Sequence, residues 1–182
     1  MTRPGPVNGT RLFAQIASDW RANGRDWTRP GFRTLAVYRF GVWRMGVRSK
    51  LLRAPLSLVY RSLFRHCRNV YGIELPYSVQ VGQHVVIEHQ GGIVIHGASV
   101  IGDGCVIRQG CTLGLRRISD LGAAPVLEAG VELGAGAAIL GRIRIGCGAR
   151  IGANAVVLID VPAGAIALGV PAKITESKPQ TI

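Results

Sequence analysis

The sequence predicts a parallel β-helix of hexapeptide repeats preceded by an α-helical section, and three observations carry that expectation. Aliphatic residues recur every six positions through the second part of the chain: Leu75, Val81, Ile87; then Ile95, Ile101, Ile107, Leu113; then Leu127, Leu133, Ile139, Ile145, Ile151 and Val157. Six of them are followed by Gly, at 82, 102, 114, 134, 146 and 152, and two positions earlier stands a small or apolar residue such as Val79, Ser99, Cys105, Cys111, Val131, Ala137 or Ala149. The front part instead places Leu12, Phe13, Ile16, Ala17 and Trp20 on one helical face, with Phe32, Leu35, Ala36 and Trp43 continuing a similar pattern after Pro30.

A period of six is too short for a helical hairpin repeat, and the 25 Gly oppose long helices, because Gly costs ~1 kcal/mol per helical position relative to Ala. Each hexapeptide is expected to form one strand and one turn, three to close a triangular coil, and the aliphatic residues to stack inside as a ladder. The expected organisation is a basic helical section over 1–72, a β-helical unit over 73–174 and a loose tail over 175–182.

A chain of 182 residues that is 48% hydrophobic can bury a sizeable core, which excludes disorder for the bulk of it. The longest apolar candidate, "LLRAPLSLVYRSLF", is cut by Arg53, Pro55 and Arg61, short of the ~18 uninterrupted residues of a spanning helix. "MTRPGPVNGT" leads into no signal-peptide core, so the expected location is cytoplasmic. Cys67, Cys105, Cys111 and Cys147 form no CxxC pair and are expected to be reduced, small, buried side chains. The charge of +12 lies wholly before Gly72, where fourteen Arg or Lys face only Asp19 and Asp26 (14 − 2 = +12), while eight bases balance eight acids after it.

Arg33, Arg39, Arg44, Arg48, Lys50, Arg53, Arg61, Arg65 and Arg68 surround the apolar faces of this front section. Basic amphipathic helices of this kind are expected to cap the open end of the β-helix. They also suit peripheral contact with an anionic membrane, where each base near the surface contributes ~1 kcal/mol. Nucleic acid is not an expected partner, since there is no recognisable binding module and no interleaved aromatic platform.

The rhythm slips twice: from Ile87 to Ile95 the step is eight, and from Leu113 to Leu127 it is fourteen, two periods plus two. Extra residues must bulge from the coil, and bulges that re-aim side chains are common beside functional sites. The first slip holds "EHQGG", with Glu88 and His89; the second is the polar excursion "LRRISDLGAAPV".

From Val70 to Ile174 the chain resembles the serine acetyltransferase branch of the hexapeptide acyltransferases. "VVIEHQGGIVIHGASVIGDGCVIRQGCTLG" is similar to that branch's active-site coil, and "IGCGARIGANAVVLIDVPAGAIALGVPAKI" to its closing coils. The front strings "DWRANGRDWTRPGFRTLAVYRFGVWRMG" and "APLSLVYR" resemble more closely the colanic-acid-type polysaccharide O-acetyltransferases of the branch. The resemblance implies a left-handed β-helix, against the usual right-handed crossover rule. It also implies a homotrimer, acetyl-CoA bound between neighbouring coils, acetyl transfer to a hydroxyl, and His89 as the catalytic base.

The chemistry suits a lone His: an alcohol must lose its proton to become a good nucleophile, while a thioester carbonyl is already activated, so one base of near-neutral pKa suffices without a covalent intermediate. Glu88, matching the acidic residue of the family's "DH", is the expected group to orient His89, although adjacent strand residues point to opposite sides unless a turn intervenes. His96 is expected near the coil of His89, and with Arg108 and Gln109 of "RQGCTLG" it completes the acceptor-site candidates. The N–H of Gly110 or Gly114 is the candidate oxyanion donor. Gly114, Ala137, Arg142, Gly152 and Lys173 are the expected acetyl-CoA contacts, with Arg142, Arg150 and Lys173 suited to its phosphates. His66 and His84 are read as surface or packing residues. No metal is expected, because the HxxxxH spacing of His84 and His89 lacks the third ligand that catalytic zinc needs.

The chain departs from the family where a second His, in an "RHP"-like string, is replaced by "GAAPVL". Free serine needs charged partners for both its carboxylate and its ammonium. The missing residue shifts the expected acceptor to a sugar hydroxyl in a polysaccharide or lipid-linked precursor, with serine O-acetylation and a non-catalytic β-helical scaffold as the alternatives.

Overall fold

Each hexapeptide alternates an inward aliphatic residue with outward neighbours, so it is extended for two or three residues and must then turn. In a computed structural model, which describes residues 9–117, 119–120 and 122–175, these extended pieces stack into three parallel sheets, and the tail after Thr175 lies outside the described residues. The first sheet holds β1 (Ile73–Glu74), β4 (Ile93–Ile95), β7 (Thr112–Gly114), β10 (Ala138–Leu140) and β13 (Val156–Val157). The second holds β2 (Gln80–Val81), β5 (Val100–Ile101), β8 (Val126–Leu127) and β11 (Arg144–Ile145). The third holds β3 (Val86–Glu88), β6 (Val106–Arg108), β9 (Glu132–Leu133), β12 (Arg150–Ile151), β14 (Ile166–Leu168) and a final strand, β15 (Lys173–Thr175), that folds back antiparallel on β14. The result is a left-handed parallel β-helix of about five coils behind three helices.

The register is the expected ladder. Ile95, Leu113, Ile139 and Val157 align in the first sheet, Ile101, Leu127 and Ile145 in the second, and Ile87, Ile107, Leu133, Ile151 and Ala167 in the third. All are buried. The Sγ atoms of Cys105 and Cys111 donate to the carbonyls of Glu128 and Gly134 at 3.0 and 3.2 Å, and burial pushes both thiols above their ordinary pKa of 9.0. They are inert core groups, as is Cys67. Cys147, also expected inside, is exposed because it occupies a turn between Gly146 and Gly148.

Helices α1 (Gly9–Ala22), α2 (Pro30–Met45) and α3 (Lys50–His66) precede the coils, and α3 runs on into a π-helical turn over Cys67–Tyr71. An open β-helix presents unpaired backbone groups at its first coil, and here side chains of α2 and of Asn23, in the turn after α1, take the place of the missing strands. The Asn23 amide donates to the Val85 carbonyl at 3.1 Å and accepts from the Ile87 N–H at 3.4 Å. The Tyr38 hydroxyl donates to the Val79 carbonyl at 2.7 Å and accepts from the Val81 N–H at 3.2 Å. Arg39 donates to the carbonyls of Val81 and Gly82, and its Nε lies 2.8 Å from Asp19 in a buried ion pair. A Cβ at residue 31 would collide with the Ile87 carbonyl, so Gly31 sets how closely α2 approaches β3.

The helical faces therefore differ from those expected. The buried row of α2 is Phe32, Leu35, Tyr38 and Arg39, with Ala36 and Trp43 half-exposed, and Phe13 of α1 points to solvent while Asp19 and Asn23 point in. Arg39 and Arg44 leave the basic surface: Arg39 is committed to the cap, and the Arg44 guanidinium is buried 4.3 and 4.7 Å from the ring centroids of Tyr60 and Tyr77. The polar capping groups win because unpaired edge carbonyls and amides cost more than an apolar contact supplies.

Candidate active site

The coils turn at three corners: from first sheet to second, from second to third, and from third to first. The third corner is held by a vertical ladder in which the N–H of Gly91, Gly110, Gly136 and Asn154 donates to the carbonyl of Tyr71, Gly91, Gln109 and Ala135, at 2.9, 2.8, 2.8 and 2.8 Å. Glu88 is paired with Arg108 in the strand register, and the Gly91 carbonyl does on its coil what the Gln109 carbonyl does on the next. Gly91 is therefore the counterpart of Gln109, and the two additional residues of the eight-residue step are His89 and Gln90. The step length showed the size of this insertion; only the hydrogen-bond register identifies its members.

Both inserted side chains are exposed, and the His89 backbone has φ +66°. Left-handed backbone costs a non-glycine residue about 1–2 kcal/mol, and among the described residues only Arg25, His84 and Asn154 share it. This is the turn that lets His89 leave the alternation of β3. The Glu88 carboxylate, by contrast, stays on the outer face of the third sheet, where its Oε2 accepts from Arg108 Nε at 2.8 Å. The two side chains are 38% and 41% exposed, so this is an open ion pair beside the insertion.

The remaining candidates fall at two corners of the triangle. Gln109, Gly152 and Lys173 join His89 along the third corner: Gly152 packs on Leu168, and Leu168 is the register partner of Lys173. His96, Gly114 and Arg142 stand instead at the first corner. His96 is on the coil next to that of His89, at the far end of β4 from it, and its Nδ1 accepts from the Ala98 N–H at 3.3 Å. Ala137 is fully buried, with its N–H bonded to the Gly134 carbonyl and its carbonyl accepting from the Thr112 N–H. The Gly110 N–H is likewise committed, to Gly91, and is withdrawn as an oxyanion donor. His84 and His89 sit at opposite ends of β3, and among the described residues no group of three or more His, Cys, Asp or Glu comes together.

The second slip is larger than two periods plus two implies. Leu113 and Leu127 are on adjacent sheets, a step that takes six residues in the neighbouring coils (Ile95 to Ile101, Ile139 to Ile145), so the excursion adds 14 − 6 = 8 residues. It leaves from Gly114, rests Arg116 against Gly141, and returns through the buried Ala124 and Pro125.

No protein-family model matches the chain. Among curated relatives it is 37% identical over 145 residues to the serine acetyltransferase of Synechococcus elongatus, covering 80% of this chain and 57% of that protein. It is 37% identical over 144 residues to the serine acetyltransferase of Helicobacter pylori, covering 79% of this chain and 80% of that protein. The chain belongs to the serine acetyltransferase family. Solved structures agree: serine acetyltransferase from Brucella abortus in complex with coenzyme A superposes with a TM-score of 0.78 at 26% identity, over 92% of this chain and 69% of that one. The Neisseria gonorrhoeae enzyme in complex with serine gives 0.74 at 28% identity, over 92% and 70%. The chain spans about half the length of several curated family members, 57% of the Synechococcus protein and 50% of the Salmonella typhimurium one.

These likenesses correct the acceptor expected from sequence. A sugar hydroxyl of a polysaccharide or its lipid-linked precursor, and the likeness to colanic-acid-type enzymes, rested on one missing His and on the front strings. A 37% identity across four-fifths of the chain to proteins named serine acetyltransferase outweighs both. Among the described residues no helix is long and apolar enough to cross a membrane.

Proposed function

We propose that the chain is an acetyl-CoA-dependent serine O-acetyltransferase with His89 as its general base. The observation that carries this reading is the two-residue insertion, which in a family member places an exposed imidazole on strained backbone at an otherwise regular corner. His89 takes the proton of the serine hydroxyl as its oxygen attacks the thioester carbonyl. The tetrahedral intermediate collapses by breaking the carbon–sulfur bond, and the leaving thiolate recovers the proton from the imidazolium.

The open Glu88–Arg108 pair answers the missing second His. It offers one carboxylate and one guanidinium beside His89, the two charges that the ammonium and carboxylate of free serine require. Along the third corner below His89 the residues Gly110, Ala135, Gly136 and Ala153 are small, with the exposed Gln109 and Asn154 between them, and an extended acyl-thioester carrier would lie along this corner with its phosphates toward Lys173. Arg142 and Gly114 stand at the first corner, away from the third, so the carrier contacts proposed within one chain are Gly152 and Lys173.

The test is release of CoA from acetyl-CoA by the purified chain with and without L-serine. Serine-dependent release that His89→Ala lowers by roughly 10²–10⁴-fold is expected. Release that ignores serine, or survives His89→Ala, overturns the reading. Arg108→Gln is expected to raise KM for serine about tenfold or more with a smaller change in kcat, as loss of a charge-assisted contact to substrate should. A fall in kcat with a displaced pH profile would assign the Glu88–Arg108 pair to orienting His89 instead.

A further inference from the structure

Helix α3 turns its apolar side outward. Its inner side seats Tyr60 against α2, where Gly41 leaves room for the ring, and Tyr60 stacks with Phe64 at 5.8 Å. Its outer side shows Leu51, Leu52, Leu58, Val59 and Leu63, which are 87%, 64%, 65%, 50% and 40% exposed. Their spacing makes one stripe along the helix. Lys50, Arg61 and Arg65, and Arg68 in the π-helical turn, are exposed beside it. No acidic residue occurs anywhere between Asp26 and Glu74.

We propose that this face of α3 docks on an anionic lipid bilayer, lying in the plane of the interface with its leucines among the upper acyl carbons and its bases at the headgroups. A solvent-facing apolar stripe needs an occupant, and charge decides which. A second copy using the same face would set these bases against their own equivalents, with no carboxylate on α3 to pair them. An anionic bilayer satisfies both halves of the face. The helix is also tied to the reaction corner: it leads through the π-helical turn to Tyr71 and Gly72, whose carbonyls accept the N–H groups of Gly91 and Ile93 at 2.9 and 3.0 Å. Docking therefore holds the His89 corner near the bilayer, but no residue of the stripe takes part in the transfer, and the two proposals fail separately.

The experiment is co-sedimentation of the full chain with vesicles of phosphatidylcholine alone or mixed with phosphatidylglycerol, at low and high salt. Binding to the mixed vesicles only, released by salt, is expected. Each base near the surface strengthens binding about fivefold, so the Arg61→Gln/Arg65→Gln double variant should bind about 25-fold more weakly. Leu58→Asp should lose roughly tenfold or more, with unchanged circular dichroism and unchanged CoA release. Absence of binding to the mixed vesicles, or binding that Leu58→Asp leaves intact, overturns the proposal. A change of oligomer mass on Leu58→Asp, read by sedimentation velocity, would give the face to a second copy and overturn it equally.

Discussion

The second and third corners of the coil are built from the same hexapeptide, yet only one of them carries an insertion. At the second corner His84, Gly104, Gly130, Gly148 and Gly164 each take one left-handed turn, at φ +57 to +69°. The N–H of each of these glycines donates to the coil before it, at 2.8, 2.8, 2.9 and 2.8 Å. No residue is added from the first coil to the last. The third corner keeps the same kind of ladder but carries His89 and Gln90 as surplus. A regular corner commits its ladder N–H and carbonyl groups to the neighbouring coils, and a residue leaves that register only where others are added. The insertion does that while Gly91 restores the ladder beneath it.

His84 and His89 make this contrast testable, since both are exposed, both have positive φ, and they flank one short strand. His89→Ala is expected to cost roughly 10²–10⁴-fold in kcat with a melting temperature close to that of the parent. His84→Ala should leave kcat unchanged, as measured by CoA release. If the two variants behaved alike, position at the insertion would not be what makes a histidine reactive.

The next largest effect belongs to the shared interior. Ile107 is fully buried between Ile87 and Leu133, and Ile107→Ala should destabilise by about 2–5 kcal/mol through lost transfer energy and a residual cavity, read from urea unfolding. The loss should be the same whether or not His89 is present, because the ladder and the insertion share backbone but no packing.

The ladder itself was legible in the sequence because its cause is local: one inward aliphatic residue per six, with Gly or another small residue at the turn. The insertion was legible as a step of eight, and His89 with it. What periodicity could not supply was partnership between distant residues. That Glu88 faces Arg108 depends on the register of adjacent coils. That His96 belongs to another corner than His89 depends on which side of a strand each turn falls. Arg39 reads as a surface group because composition carries no record of the unpaired strand edges that draw it inward, and Asn23 gives no signal at all for the same reason.

Asn23 probes that edge. Its side chain replaces a strand for both Val85 and Ile87, so Asn23→Ala leaves a buried carbonyl and a buried N–H unpaired, at about 1–3 kcal/mol. Asn23→Asp should restore only the acceptor half and recover less than all of the loss. Thermal unfolding of the three proteins checks the order.

The smallest effect sharpens the comparison from the side of the regular corner, which is latched by side chains as well as by its ladder. Glu128 accepts from the Arg144 guanidinium and, at 2.9 Å, from the Cys147 N–H on the next coil. The Arg144 hydrogen bond, helped by the Cys147 N–H, holds the Glu128 carboxyl below its ordinary value of 4.5. A carboxyl depressed in the folded state adds stability that is complete above its unfolded value and is lost as pH falls through the lower, folded one. The latch should therefore be intact at neutral pH and fade on acidification below about 4.5. Arg144→Ala should lower the melting temperature slightly at neutral pH, since the pair is open to solvent and screened, and the gap from the parent should close as the pH is taken down through the carboxylate range. A gap that stayed constant into acid would mean that Arg144 supports this corner by packing its aliphatic stem.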